Sequence, residues 1–272
     1  MTEFTQSSTG DTVAYDRYGD GSGRAIVFIA GAGPYRAGDP VTTETAQLAA
    51  AEGLTTLVFD RLGRGESVAE GVLDLDRELE AVRAAIAAAT GADGSSDDGR
   101  AVLVGHSSGC SIALAATVRG LPVSGLVLWE APLSESAADT AEWSDGFEAL
   151  LDAGEDERAK EHYMRDMPPE FLAGAKASPA WPAIVANART ERADGQSMKW
   201  ANAALEGEGF PGIDVPVLAV YGTQTFPQMP LAAARIASAV PGAQEKAVEG
   251  AMHSWQPAAM AAELVAFARA LR

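Results

Sequence analysis

Short, nearly uninterrupted apolar runs alternate along this chain with longer segments whose apolar residues recur every three or four positions. The runs are Ala25–Ala30, Thr55–Phe59, Ala101–Val104, Val123–Trp129 and Val215–Tyr221. A run of this length, free of alternation, suits a strand covered on both faces. Thr12–Tyr18 alternates instead and ends in the turn Gly19–Gly23, and Glu245–Val248 reads as a last short strand. Between the runs, helices are predicted from about Thr42 to Glu52, from Leu73 to Ala89, across Cys110–Ala116, from Leu231 to Ala239 and from Gln256 to Leu271. In the second of these, Leu75, Leu79, Val82 and Ile86 fall on one helical face. Gly91–Gly99, all small or acidic, reads as a surface loop. Strands alternating with helices predict an α/β chain: a mainly parallel central sheet with helices on both faces.

The alternation lapses between about Ala131 and Gly212, where helical segments follow one another with no strand between them. Three of the five tryptophans lie there, with proline breaks at Pro168, Pro169, Pro179 and Pro182. The expected organisation is a core from 1–132, an inserted helical cap over 133–212, and the rest of the core over 213–272. No internal repeat or low-complexity linker interrupts it.

Composition narrows the class. At 47% hydrophobic and 21% charged residues, the 272-residue chain is globular in character, with no apolar run long enough to span a bilayer. A formal charge of −18 opposes binding to nucleic acid or an anionic membrane, so the expected partner is a small molecule, with oligomeric state left open. The segment Met1–Ser7 is polar, with neither a basic nor an apolar region typical of a secretion signal. One cysteine, Cys110, rules out an internal disulfide and is expected as a small buried side chain. A cytoplasmic location is the expectation.

The chemistry starts at Gly105-His106-Ser107-Ser108-Gly109, which joins an apolar strand to a buried helix. Strand, G-x-S-x-G and helix together form a nucleophile elbow, in which small residues permit a tight turn that lifts the serine hydroxyl off the sheet edge. Ser107 is the candidate nucleophile. Of three histidines, His106 lies inside the elbow and is assigned to packing, and His162 lies among charged residues and is assigned to the surface. His253 follows the last strand, on the edge where the elbow opens, and is the candidate base.

The order of serine then late histidine, the sheet and the helical insertion resemble the α/β-hydrolase superfamily. The elbow, the loop Asp60-Arg61-Leu62-Gly63-Arg64-Gly65-Glu66-Ser67 and the ending Gly250-Ala251-Met252-His253 carry that resemblance, which covers nearly the whole chain. It implies an α/β-hydrolase fold, with Asp60 and Arg61 forming a structural loop. It also implies an orienting acid a few residues after Tyr221-Gly222, where this chain has Thr225, which cannot carry charge. Asp214 precedes that strand and belongs at its far end. Glu130 directly follows the strand ending at Trp129, where some family members place their acid, and it completes the set Ser107, Glu130, His253. The oxyanion loop departs from the family's usual His-Gly and reads Ala30-Gly31-Ala32-Gly33-Pro34-Tyr35. Its position implies the backbone N–H groups of Ala32 and Ser108 as donors.

The expected activity is hydrolysis of an ester, thioester or lactone through an acyl-enzyme on Ser107, with no cofactor. No ligand spacing suggests a metal, and neither glycine-rich stretch is a dinucleotide fingerprint. Tyr35, Trp143, Met164, Trp181, Trp200 and Trp255 are the candidate substrate-lining residues and lean towards an apolar or aromatic acyl group. Two other readings stay open: a lyase or cyclase on the same fold, in which His253 acts as acid and base, and an inactive homologue that only binds a ligand.

Overall fold

The computed structural model describes residues 1–91 and 99–271, so most of the surface loop expected at Gly91–Gly99 lies outside the described residues. Nine strands form one sheet: β1 (Glu3–Gln6), β2 (Thr12–Tyr18), β3 (Ala25–Ile29), β4 (Thr55–Phe59), β5 (Ala101–His106), β6 (Val123–Trp129), β7 (Val217–Gln224), β8 (Gln244–Ala251) and β9 (Ser254–Trp255). Their order across the sheet is β1-β2-β4-β3-β5-β6-β7-β8-β9. The six strands from β4 to β8 run parallel, while β1, β2 and β9 pair antiparallel at the edges.

The apolar runs are explained by two separate cores. Val27, Ile29, Leu57, Leu103, Leu126, Leu128 and Ala219 point to one face and pack on α2 (Leu75–Thr90), α3 (Gly109–Val118) and α9 (Gln228–Ala239). Their neighbours Ile26, Phe28, Val58, Val104, Val127, Trp129 and Val220 point to the other, against α1 (Pro40–Ala51) and α10 (Pro257–Ala270). Successive strand side chains alternate between faces, so a strand buried on both must be apolar throughout. Helix α3 is buried from Gly109 to Thr117, which explains why it lacks a polar face.

Edges were harder to read. β1 has no buried residue, and in β8 only Val248 and Gly250 are buried, because an edge strand is held by backbone hydrogen bonds and leaves its side chains in water. β7 begins two residues later than the apolar run because Pro216 has no N–H to offer a neighbour, and it ends later, at Gln224.

Between β6 and β7 the chain is helical: α4 (Ala137–Asp152), α5 (Asp156–Tyr163), α6 (Pro169–Ala177), α7 (Trp181–Ala186) and α8 (Arg192–Glu206). α4, α5 and α8 enclose a small third core around Phe147, Tyr163 and Met198, which also touches Ala32. α6 and α7 bury no residue fully. His162, expected at the surface, is half-buried: its Nε2 lies 2.8 Å from the Trp143 carbonyl and ties α5 to α4.

The elbow needs its glycines for space. A Cβ on Gly105 would lie 2.6 Å from the Cys110 backbone, and one on Gly109 would lie 2.2 Å from the Ile29 carbonyl oxygen. Both obstacles are backbone atoms in the centre of the sheet. Gly109→Ala is therefore expected to cost about 1–3 kcal/mol or more of stability, read from urea denaturation. An unchanged midpoint would show that β3 and α3 have room to separate.

Candidate active site

Ser107 closes the turn between β5 and α3 in the left-handed region, at φ 55°. Three other described non-glycine residues share positive φ: Glu130 (48°), Met252 (50°) and His253 (68°). Such backbone costs on the order of 1–2 kcal/mol per residue, so the strain of the described chain is gathered at one place. Local hydrogen bonds hold it there. Ser107 N–H donates to the Trp129 carbonyl (2.9 Å), Glu130 N–H to the Val220 carbonyl (2.8 Å) and Met252 N–H to the Gln224 carbonyl (3.2 Å).

β5, β6 and β8 are parallel, so the residues that follow them share one edge of the sheet. There His253 Nδ1 meets Glu130 Oε2 at 2.6 Å, and Glu130 Oε1 accepts from Gly222 N–H at 2.8 Å. Glu130 is buried, its side chain fully so. Burial alone would push its carboxyl up. The His253 ring and the Gly222 amide are the contacts that oppose burial, and its carboxyl lies below the ordinary carboxylate value. Thr225, which stands where the family's acid is usual, has a buried hydroxyl with no hydrogen-bond partner among the described residues. Among the described residues the Ser107 hydroxyl makes no hydrogen bond, a common state for a catalytic contact before substrate binds.

His106 does more than fill space. Its Nε2 lies 2.9 Å from the His253 carbonyl, where the indole N–H of Trp129 also donates at 3.4 Å. Two side chains thereby fix the backbone of His253 in its left-handed form. Burial, with His253 alongside, pushes the His106 imidazole down to about 4, so near neutral pH it is the uncharged donor. Trp255 packs edge-on against both His106 and Trp129 and donates to Thr45 at 2.8 Å. Cys110 is buried beneath the elbow with its thiol on the Gly105 carbonyl, and burial pushes its pKa up, away from the reactive thiolate.

The loop after β3 lies against Ser107: a Cβ on Gly31 would come 2.8 Å from Ser107 Cβ. Neither Ala32 N–H nor Ser108 N–H is engaged in a hydrogen bond among the described residues. Ser108 also opens α3, where helix geometry leaves N–H groups unpaired and favours negative charge.

The six proposed lining residues divide. Trp143 and Met164 pack in the same small core that touches Ala32. The other four lie elsewhere. Tyr35 lines an open surface cleft of about 560 Å³ with Arg36, Asp16 and Asp60, whose lining includes none of Ser107, Glu130 and His253. Trp181 is held on the inserted helices by Glu157 (3.0 Å) and the Lys176 ammonium. Trp200 packs down onto Phe210 and the main core, and Trp255 is buried behind the base. Tryptophans here serve packing, because each ring buries a large apolar area and still needs a partner for its N–H. Phe226, just beyond Thr225, instead meets Phe171 of α6 edge-on at 6.3 Å, and composition gave no reason to single out this pair.

Sequence reading also missed a buried ionic cluster beside the elbow. Arg61 and Arg64, in the loop after β4, converge on Asp194 of α8 at 2.6 and 3.0 Å. Arg61 further pairs with Glu78 (3.0 Å), and Lys160 pairs with Glu191 (2.5 Å). Burial opposes charge on Asp194, but the two guanidinium groups win and hold it ionised. Asp60 has the loop-forming role expected, accepting from the N–H groups of Arg36 (2.7 Å) and Glu66 (2.9 Å). Arg61 does not stop at that role, and the only sequence signal was a pair of arginines in a loop expected to be structural.

Among the described residues no group of three His, Cys, Asp or Glu side chains is arranged to hold a metal ion, and no helix is long and apolar enough to cross a membrane. With this sheet, elbow and edge in place, comparison with known proteins is direct. Residues 26–267 match the Alpha/beta hydrolase family, and the chain belongs to it. An alpha/beta hydrolase from Sphaerobacter thermophilus is 28% identical, with 97% of this chain and 99% of that one covered and a TM-score of 0.76. An esterase from Rhodococcus is 21% identical over 100% of this chain and 99% of its own, at a TM-score of 0.59. The bottromycin epimerase BotH is 18% identical over 100% and 99%, also at 0.59. No curated protein matches significantly.

His106 sets a pH dependence. Unfolded, an imidazole protonates near 6.5, whereas here it resists protonation down to about 4. Between those values protons favour the unfolded chain, so stability falls as pH drops through that window, by up to ~1.4 kcal/mol per pH unit. In His106→Gln, which keeps an N–H donor, the fall in melting temperature from pH 7 to pH 5 should be shallower than in the wild type. Equal slopes would place the acid sensitivity elsewhere.

Proposed function

We propose that this protein is a serine hydrolase that cleaves an ester, thioester or lactone of a small apolar or aromatic molecule through an acyl-enzyme. The observation that carries the reading is the 2.6 Å pair between His253 Nδ1 and the buried Glu130 carboxylate, on the sheet edge where the elbow presents Ser107. In this reading the Glu130 carboxylate accepts a hydrogen bond from Nδ1–H, stays ionised, and leaves Nε2 free to take the proton of Ser107. The serine oxygen attacks the carbonyl, and the N–H groups of Ala32 and Ser108 donate hydrogen bonds to the negative charge that develops on its oxygen. His253 returns the proton to the leaving group, and water repeats the cycle on the acyl-enzyme. Helices α4 to α8 act as a cap, with Trp143, Met164 and the Phe171–Phe226 pair offering apolar surface near the acyl group. The esterase named among the structural relatives is consistent with this chemistry, and the epimerase shows that the fold also hosts other reactions.

A second reading rests on the Ser107 hydroxyl, which is not hydrogen-bonded to the base. In it His253 is the acid–base of a lyase or cyclase, and Ser107 only orients substrate.

Intact-mass labelling with a reactive fluorophosphonate separates the two. Stoichiometric labelling of the wild type, absent in Ser107→Ala, is expected. Glu130→Gln should keep the fold but slow labelling by a factor on the order of 10³–10⁴, because a neutral amide disfavours the productive tautomer and does not stabilise the imidazolium. A folded wild type that remains unlabelled, or a Ser107→Ala variant that keeps turnover, would sink the acyl-enzyme reading.

A further inference from the structure

The two amides assigned above to the oxyanion hole share one buried support. The peptide that carries the Ala32 N–H carries, at its other end, the Gly31 carbonyl. That carbonyl accepts from Arg64 Nη1 at 2.5 Å and from Arg61 Nη1 at 3.4 Å, and Arg61 Nη1 also reaches the Ala30 carbonyl at 3.2 Å. On the elbow side, Ser108 donates its hydroxyl to Asp194 Oδ1 at 2.6 Å. Asp194 is the carboxylate on which Arg61 and Arg64 converge, at 2.6 and 3.0 Å. Arg64 completes its bonds on Thr190, through Nε to the hydroxyl (3.0 Å) and Nη2 to the carbonyl (3.1 Å). Arg61, Arg64, Asp194 and Ser108 are each at most 2% exposed.

We propose that Arg61, Arg64 and Asp194 are positioning residues for the oxyanion hole, clamping the Gly31–Ala32 peptide and Ser108 to one rigid charged unit; the inference rests on the acyl-transfer reading. Three physical arguments support it. A cationic donor on a peptide carbonyl strengthens the N–H of the same peptide as a donor, because hydrogen bonds in series polarise one another. A guanidinium presents its donors in a fixed plane, so a carbonyl and a carboxylate held by one arginine cannot shift independently. An oxyanion hole works only when its donors already stand where charge will appear, and a dry network of opposite charges resists the reorganisation that water would allow. Lys160 and Glu191 extend the cluster outward, so three cationic and three anionic side chains, Arg61, Arg64 and Lys160 with Glu78, Asp194 and Glu191, face each other in the interior.

The arrangement also gives the inserted helices a part in the chemistry. Asp194 lies in the first turn of α8, at the dipole end that favours negative charge, and Thr190 lies just before that helix. The hole is thus assembled only when the insertion is docked. Removing it would take away the carboxylate that holds Ser108 and the partner that keeps two buried guanidinium groups in place.

The test uses the full chain with two mild variants. Ser108→Ala removes the hydroxyl tether and keeps the N–H, and Arg64→Lys keeps the charge and loses the planar fork. Three quantities are read: the rate of fluorophosphonate labelling, kcat and KM for p-nitrophenyl butyrate, and the inhibition constant of butylboronic acid, whose adduct on Ser107 places an oxygen in the hole. Each variant should label about tenfold slower, lower kcat by a similar factor and bind the boronate correspondingly more weakly, with KM within about twofold, as expected when donors are misplaced by a fraction of an ångström. Thermal unfolding and circular dichroism check that each variant is folded at the assay temperature. Folded variants that match the wild type within twofold in labelling, kcat and boronate affinity, even with lowered melting temperatures, overturn the proposal and leave the cluster a structural tie. A wild type that does not label at Ser107 overturns the acyl-transfer reading first, and this one with it.

Discussion

Asp194 occupies the point where the sheet, the elbow and the inserted helices meet. A carboxylate with no solvent contact is costly unless nearby cations and hydrogen-bond donors replace the lost water. Here it receives two guanidinium groups from the loop after β4 and a hydroxyl from the elbow, while it belongs itself to α8. Removing one member would leave a buried charge without its counter-charge. The network therefore fixes where α8 sits on the core, how the loop after β3 lies beside Ser107, and how α3 begins. Helix α8 packs against α3, with the Ser111 and Ser197 hydroxyls 2.8 Å apart between them, and the ionic cluster supplies the register.

The second organising constraint is strain. Ser107, Glu130 and His253 occupy left-handed backbone that their side chains disfavour, and each sits where a parallel strand ends. A chain leaving a strand in extended form would carry the next side chain outward along the strand. A left-handed residue turns the chain at once and projects its side chain over the sheet edge. The turns are sustained by amide bonds to the neighbouring strands and, for His253, by His106 and Trp129 on its carbonyl. The stable sheet core thus supports a locally unfavourable backbone at the one edge where the chemistry is proposed.

The proposed acid illustrates how the fold can supply one carboxylate from either of two strands. The ends of β6 and β7 are neighbours in the sheet, so a carboxylate carried by either reaches the histidine after β8. Glu130 does so from β6, and Thr225 at the end of β7 becomes a neutral neighbour of that carboxylate. The charge survives while the position changes, because the geometry constrains where the carboxylate sits and leaves open which strand supplies it.

Much of this was legible in the chain itself. The doubly buried strands, the helices between them and the elbow could be read because each reflects a local rule: alternation between two cores, helical periodicity, and glycines where a Cβ would strike backbone. Ser107, Glu130 and His253 could be named because a parallel sheet brings the ends of its strands to one edge whatever lies between them in sequence. The weak edge strands β1 and β9 were not legible, since backbone pairing leaves little mark on side-chain choice. Nor were the destinations of Tyr35, Trp181, Trp200 and Trp255, because an aromatic ring signals burial without saying against what. The ionic cluster is the clearest case of what tertiary structure alone decided. Arg61 and Asp194 are separated by 133 positions, and nothing in either segment marks the other as its partner. Only the folded arrangement of insertion on sheet, where buried charges must find opposite charges, pairs them.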